Sequence, residues 1–224
     1  MNLQEQLIVD LERARLGFEV VWLDAASVDA DSVVLAPLRL TSPACGDEVT
    51  VELTVSRRVG SRTAGEVQLG EVRIDRVRWS GHGCTVSMAS ASALAEMFCE
   101  IDTGDFFVLK TRFEALVRAD GVFLEDVASA LDPSANNAND LDRLDALSAA
   151  TGLGSAVAFA GIGRLPLRAD CALLAWRAAA QALEGAAEAL EGAAQAVQGV
   201  AKASEDAAQA EEGAVQAGEG ADAG

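Results

Sequence analysis

A turn bracketed by two glycines, Gly81-His82-Gly83-Cys84, leads directly into a stretch rich in alanine and serine and limits how this chain can fold. The stretch Thr85–Ser92 predicts a helix that begins at Cys84 and runs to about Met97. A helix start has unpaired backbone N–H groups and the positive end of the helix dipole, and both favour a thiolate over a thiol. We therefore expect Cys84 to bind a soft metal or to attack sulfur.

Composition narrows the classes of function. The chain has 224 residues, is 50% apolar and carries a net charge of -18, which opposes binding to nucleic acid or to an anionic membrane. The segment Met1–Glu5 lacks the basic start of a signal peptide, and no apolar run approaches a membrane span. We expect a cytoplasmic protein, in which cysteines serve metal binding or thiol chemistry rather than disulfides. The four cysteines are Cys45, Cys84, Cys99 and Cys171.

Periodicity of the apolar residues predicts a mixture of helices and strands. A change of apolar phase near Asp75-Arg76 predicts an irregularity in one strand. Asp170 has the side chain of a helix N-cap, so we expect a helix to start there and Cys171 to lie at its first turn. The predicted helices are Leu3–Leu16, Cys84–Met97, Phe106–Ala119, Leu141–Ala150 and one after Asp170; the predicted strands are Phe18–Leu23, Val33–Leu40, Val49–Val55 and Glu66–Trp79, with a hairpin turn at Gly60–Gly65 and a loop at Asp120–Asn139.

The composition changes near residue 180. Beyond it the chain is rich in Ala, Glu and Gly, and glycines recur at a seven-residue spacing, each costing a helix about 1 kcal/mol. We predict a domain over residues 1–180, followed over 181–224 by a low-complexity acidic tail that is a frayed helix or disordered.

Three cysteines each follow a strand or loop and precede regular structure, so they could meet at one end of a sheet. These are Cys45, Cys84 and Cys171, and Gly46 lets Asp47 fold back beside Cys45. Three thiolates and a carboxylate form a tetrahedral set that suits Zn²⁺. The spacing matches no zinc-finger pattern, and small buried cysteines that pack as apolar residues are the alternative.

Three blocks of sequence resemble the SufU branch of the SufU/IscU/NifU family, whose members serve iron–sulfur cluster assembly. The resemblance covers roughly residues 40 to 180, and it implies an α+β fold with a small antiparallel sheet packed against a cluster of helices. Asp170, where IscU-like proteins carry histidine, and the long segment between Cys84 and Cys171 favour SufU over IscU. The blocks are Ser42–Asp47, Gly81–Ser92, and Val157–Gly161 continued by Pro166–Trp176.

By this resemblance, Zn²⁺ would be held by Cys45, Asp47, Cys84 and Cys171. A pyridoxal-phosphate cysteine desulfurase of the SufS type would present a persulfide, and Cys45 would accept its outer sulfur. Arg168 matches an arginine that the family keeps near the site, and it would stabilise the freed thiolate or the persulfide. The protein would then be at most a zinc-dependent sulfurtransferase that supplies downstream iron–sulfur assembly proteins.

Two other functions stay open at this point. The same thiolates could carry a transient iron–sulfur cluster, as in an IscU-like scaffold. Alternatively, zinc could stabilise an interaction module that performs no sulfur chemistry.

Two further residues have two interpretations each, and a third has one. Asp170 is a helix cap or an alternative oxygen ligand, with the cap favoured. His82 is a turn residue without a metal bond, or a ligand or proton acceptor. Cys99 matches no cysteine of the family, and we expect it to be buried structural filler.

Overall fold

The computed structural model describes residues 2–19, 32–57, 71–119, 140–195 and 202. The helices are α1 (Leu3–Ala14), α2 (Thr85–Met97), α3 (Thr103–Arg118), α4 (Asp140–Thr151) and α5 (Pro166–Leu183), with short 3₁₀ turns at Gly154–Phe159 and Ile162–Arg164. The strands are β1 (Ser32–Val34), β2 (Leu38–Thr41), β3 (Glu48–Arg57), β4 (Val72–His82) and β5 (Ile101–Asp102). The α+β fold is confirmed, and the helices pack against a small antiparallel sheet.

The sheet is built around β3. β4 pairs along one side of β3, β1 and β2 share its other side, and β5 extends the sheet beyond β4. The prediction of a single strand over Val33–Leu40 is wrong, because the chain forms two strands there. Pro37 lies between them, and a proline has no N–H to donate to a sheet ladder.

The pairing of β3 with β4 contains the predicted irregularity. Thr54 pairs with Arg76 and Val55 with Ile74, so Asp75 is an extra residue in β4.

One face of β3 packs against the helices, and the alternating apolar side chains on that face are fully buried. They are Val49, Val51, Leu53 and Val55.

Helix α2 lies at the centre of the molecule. Every residue from Val86 to Leu94 is buried, and the helix contacts α1, α5 and β4. Its small side chains allow this, because alanine and serine let neighbouring elements approach the helix backbone from all sides. The turn before α2 is thereby fixed relative to both the sheet and α5.

Helix α5 begins four residues earlier than predicted, at Pro166. Proline is favoured at the first helical position because its missing N–H would have no partner there and its φ suits a helix. Asp170 is therefore not an N-cap; it lies in the second turn and pairs with Arg177, at 3.2 Å. Cys171 likewise lies inside the helix rather than at its start.

Several predictions concern residues outside the described ranges: the turn at Gly60–Gly65, the start of a strand at Glu66, the loop at Asp120–Asn139 and most of Phe18–Leu23. Residues 186–195 are helical, and Ala186 and Leu190 are buried, so packed chain continues beyond residue 180. The acidic tail and the domain boundary at 180 stay predictions.

No single helix among the described residues is both long and apolar enough to cross a membrane. One pair of helical segments, Leu141–Thr151 and Gly154–Arg164, meets that test by length and composition, with a bend of 118° between them.

Candidate metal centre

The turn between β2 and β3 carries Cys45 and Asp47. The N–H of Ser42 donates to the carbonyl of Asp47 at 2.8 Å, and the N–H of Gly46 donates to the carbonyl of Ser42 at 2.9 Å. Gly46 has φ +74°, a left-handed conformation that glycine adopts without strain. The turn leaves Cys45 exposed at its tip and returns Asp47, which is 5% exposed, toward the protein.

Cys84 occupies the N-cap position of α2, which confirms the predicted helix start. Its own side chain makes no capping bond; instead its backbone N–H donates to Oδ1 of Asp47 at 3.1 Å. Gly81 lies opposite Val49 in the sheet with φ +149°, and a Cβ there would come within 2.1 Å of the Glu48 carbonyl oxygen. Only glycine fits this close approach, so β4 can run beside β3 up to the turn.

Cys171 lies in the second turn of α5 and is 3% exposed. Its sulfur is 3.1 Å from the sulfur of Cys45, and both thiols are free. The neighbouring residue Ala172 receives a hydrogen bond from Ser90 of α2, so the two cysteine-bearing helices are joined directly beside the centre.

The structure brings three predicted ligands together. One ligand atom each from Cys45, Asp47 and Cys171 lies within 4.8 Å of the others. Tetrahedral zinc with Zn–S of about 2.3 Å requires ligand sulfurs roughly 3.8 Å apart, a small change from this arrangement. Cys84 lies outside this closest group, but its thiol interacts with Asp47. The donor set fits a zinc ion, with Cys84 as the fourth ligand remaining a prediction.

Electrostatics distinguish the carboxylate from the buried thiol. Burial by itself would raise the pKa of Asp47, but hydrogen bonds from Cys84, Cys171, Ser87 and Cys45 outweigh it and lower the pKa below 3.8. Burial also raises the pKa of Cys171, and Cys45, Asp47 and the charge on Cys84 raise it further. Without a metal, Asp47 is thus ionised and Cys171 is a neutral thiol at pH 7. A cation would have to displace the proton of Cys171.

Arg168 lies in the first turn of α5 with its side chain exposed. It lines a cavity of about 550 Å³ beside the centre, which is also lined by Cys84 and by the start of α1. Arg168 and Cys84 thus line the same cavity, and a role of Arg168 at the centre stays a prediction.

Two other candidate residues lie apart from the described ligand group. His82 is exposed at the end of β4, opposite Glu48. Cys99 is exposed beyond the far end of α2, and its thiol donates to the carbonyl of Asp75 at 3.4 Å. The expectation that Cys99 is buried is wrong, because Cys99 and Glu100 form an exposed bend after the end of α2.

Ser87 is a site residue that the sequence prediction missed. It is fully buried, and its hydroxyl donates to Oδ2 of Asp47 at 2.8 Å. Its position three residues after Cys84 was the available signal, because a side chain at that place in the first turn faces the helix start.

The sequence of this chain is similar to a known family and to a known protein. Residues 29–112 match the family described as the NifU-like N terminal domain, a range that includes Cys45, Asp47 and Cys84. The iron–sulfur cluster assembly scaffold protein IscU of Streptococcus pyogenes serotype M1 is 28% identical over 147 residues, which are 66% of this chain and 68% of that protein. By these two matches, the chain is similar to the IscU/SufU/NifU N-terminal family.

One solved structure supports the fold of this chain, and a second is similar at a lower score. The crystal structure of a hypothetical protein superposes with a TM-score of 0.51 at 19% identity, covering 81% of this chain and 97% of that one. A candidate iron–sulfur cluster assembly scaffold protein for the SUF system from Fervidobacterium islandicum AW-1 gives a TM-score of 0.49 at 18% identity, over 80% and 94% of the two chains.

Proposed function

We propose that this protein acts in iron–sulfur cluster assembly, as a metal-binding protein of the scaffold type. The name of the Streptococcus relative and the family match support this function. The observation that carries it is the convergence of Cys45, Asp47 and Cys171, with Cys84 adjoining them, at one end of the sheet. Thiolates are the ligands that both zinc and iron–sulfur clusters require.

More specifically, the protein binds Zn²⁺ and accepts sulfur from the persulfide of a SufS-type cysteine desulfurase in the cytoplasm. Zn²⁺, when bound, would keep its thiolate ligands deprotonated without adding redox chemistry. Cys45, Asp47, Cys84 and Cys171 would hold it. The set contains three sulfurs and one oxygen, which is within the range of zinc sites.

Cys45 is the acceptor in this account because it is exposed at the tip of a turn, whereas Cys171 is buried within a helix. The Cys45 thiolate attacks the outer sulfur of the donor persulfide and forms a new S–S bond. The bond between the two donor sulfurs breaks, and its electrons leave with the donor cysteine thiolate. No net oxidation occurs. Arg168, exposed on the cavity beside the centre, offers a positive charge to the persulfide anion on Cys45.

A cluster scaffold is the second candidate function, favoured by the scaffold name of the Streptococcus relative. In that case the cluster is cargo that the same thiolates hold and pass to an acceptor protein. The two candidates use the same residues but differ in what they hold when the protein is isolated.

The test combines the zinc-loaded full chain with a SufS-type desulfurase, L-cysteine and a reductant, and follows sulfide release. We expect the protein to accelerate release and Cys45→Ser to abolish the acceleration. Cys99→Ser is the matched control, because Cys99 is also exposed but lies apart from the centre. A lack of acceleration, with an anaerobically reconstituted cluster that transfers to an apo-protein, would establish the scaffold instead. If neither occurs, the zinc-stabilised interaction module remains.

A further inference from the structure

Three serines of α2 are fully buried, and each one bonds to a different part of the molecule. The hydroxyl of Ser92 accepts the N–H of Leu16 just after α1. Ser90 donates to the carbonyl of Ala172 and accepts the indole N–H of Trp176, both in α5. Only the third serine, Ser87, reaches the candidate metal centre. The three positions therefore differ in function although they share a helix and a degree of burial.

The contact of Ser87 with Asp47 fixes the orientation of the carboxylate. The Ser87 hydroxyl donates to Oδ2 at 2.8 Å, while the backbone N–H of Cys84 donates to Oδ1 at 3.1 Å. Two donors on two oxygens prevent rotation about the last bond of the side chain. Each carboxylate oxygen still has a second lone pair, so a metal can bind an oxygen that is already hydrogen-bonded.

The turn before α2 is packed closely over this contact. A Cβ on Gly83 would lie 2.7 Å from Cγ of Asp47 and 2.7 Å from Oγ of Ser87. Glycine at position 83 thus leaves the room in which the serine and the carboxylate meet. Gly83, Ser87 and Asp47 form one tightly packed unit.

We propose that Ser87 is a positioning residue that holds the Asp47 carboxylate in place for the metal bound by the thiolates. The proposal rests on the metal centre of the proposed function, and it assigns Ser87 no contact with the metal. Partners that orient a metal ligand typically change metal affinity by about 10- to 100-fold when they are removed. Ser87 is such a partner because, of the side chains that donate to Asp47, it is the one that is not itself a predicted metal ligand.

Zinc affinity of the full chain, measured by competition with a chromophoric chelator, tests the proposal. We expect Ser87→Ala to bind zinc about 10- to 100-fold more weakly than the wild type. Ser92→Ala is the matched control: the same substitution in the same helix at the same burial, without a contact to Asp47. Its zinc affinity should equal that of the wild type.

A double-mutant cycle separates positioning from general damage to the fold. In an Asp47→Ala background, Ser87→Ala should cause no further loss of zinc affinity, because the group it orients is already absent. The visible spectrum of the Co²⁺-loaded protein should change in Ser87→Ala and stay unchanged in Ser92→Ala. Thermal unfolding of the metal-free variants shows that each is folded.

Two results would overturn the proposal: Ser87→Ala with wild-type affinity, or an equal loss in the wild-type and Asp47→Ala backgrounds. Failure of the metal centre itself is distinguishable, because then the wild-type chain would also fail to bind zinc tightly.

Discussion

Cys84 and Cys171 adjoin the same carboxylate, but their helices present them in different ways. Cys84 precedes the first turn of α2 and is exposed, with its backbone N–H bonded to Asp47. Cys171 lies within the second turn of α5, is 3% exposed and has a raised pKa. One centre thus combines a thiol that is open to a partner with a thiol that is held by the core. Position on a helix, rather than residue type, sets this difference.

The buried position of Cys171 depends on Trp176, which fixes α5 against α2. Its ring stacks on Phe113 at 4.1 Å and meets Phe98 edge-on at 5.2 Å, and its indole N–H donates to Ser90. Trp176→Ala should lower the free energy of unfolding by about 3–5 kcal/mol, through lost burial and a cavity. Urea denaturation of the metal-free protein measures this loss.

The matched control is Leu167→Ala in the same helix, where the side chain is 59% exposed. It should change the unfolding free energy by less than about 0.5 kcal/mol. Equal effects of the two substitutions would mean that the buried cysteine is not held by the aromatic cluster.

The exposed position of Cys84 depends on the close approach of Gly81 to β3. Gly81→Ala would force a left-handed φ on alanine and push its Cβ toward the carbonyl of Glu48, so we expect a loss of about 1–3 kcal/mol in unfolding free energy. Gly104→Ala in α3 is the control, because nothing lies within 4 Å of the added Cβ. It should stabilise the protein by up to about 1 kcal/mol. Thermal denaturation of both variants and of the wild type shows whether each substitution lowers or raises the stability.

The two thiols should react at different rates with an alkylating agent in the folded, metal-free protein. Because the raised pKa of Cys171 keeps it protonated at pH 7, and it is also buried, its alkylation should be at least about tenfold slower than that of Cys84. The Cys171 rate should still be rising with pH above the usual thiol pKa of 9.0, because its own pKa is raised. Peptide mass spectrometry after timed quenching gives both rates. Similar rates at pH 7 would contradict the difference between an exposed thiol at Cys84 and a buried, protonated thiol at Cys171.

The smallest effect is expected at Asp170, next to the buried cysteine. Its pair with Arg177 joins side chains that are 49% and 35% exposed, and such surface pairs contribute about 0–1 kcal/mol. Asp170→Ala should lower the unfolding free energy by less than about 0.5 kcal/mol and leave the zinc content unchanged. A helix-cap function would instead cost about 1 kcal/mol, and a ligand function would reduce the zinc content.

The two helices also show how far the sequence can predict this site. The start of α2 was predictable because the glycines before Cys84 leave few alternatives for the chain. The start of α5 was not, because Pro166 and Asp170 both favour helix starts, and the proline position is the one that lets α5 begin directly after the 3₁₀ turn. The bond of Ser87 to Asp47 could not be predicted either, since the two residues are 40 positions apart and meet only in the folded chain.

X-ray absorption at the zinc edge of the zinc-loaded full chain tests the centre most directly. We predict three sulfur ligands at about 2.3 Å and one oxygen ligand at about 2.0–2.2 Å, with the oxygen of Asp47 absent from the spectrum of Asp47→Ala. A zinc ion bound by two or fewer sulfurs, or by nitrogen and oxygen alone, would contradict a centre formed by Cys45, Asp47, Cys84 and Cys171.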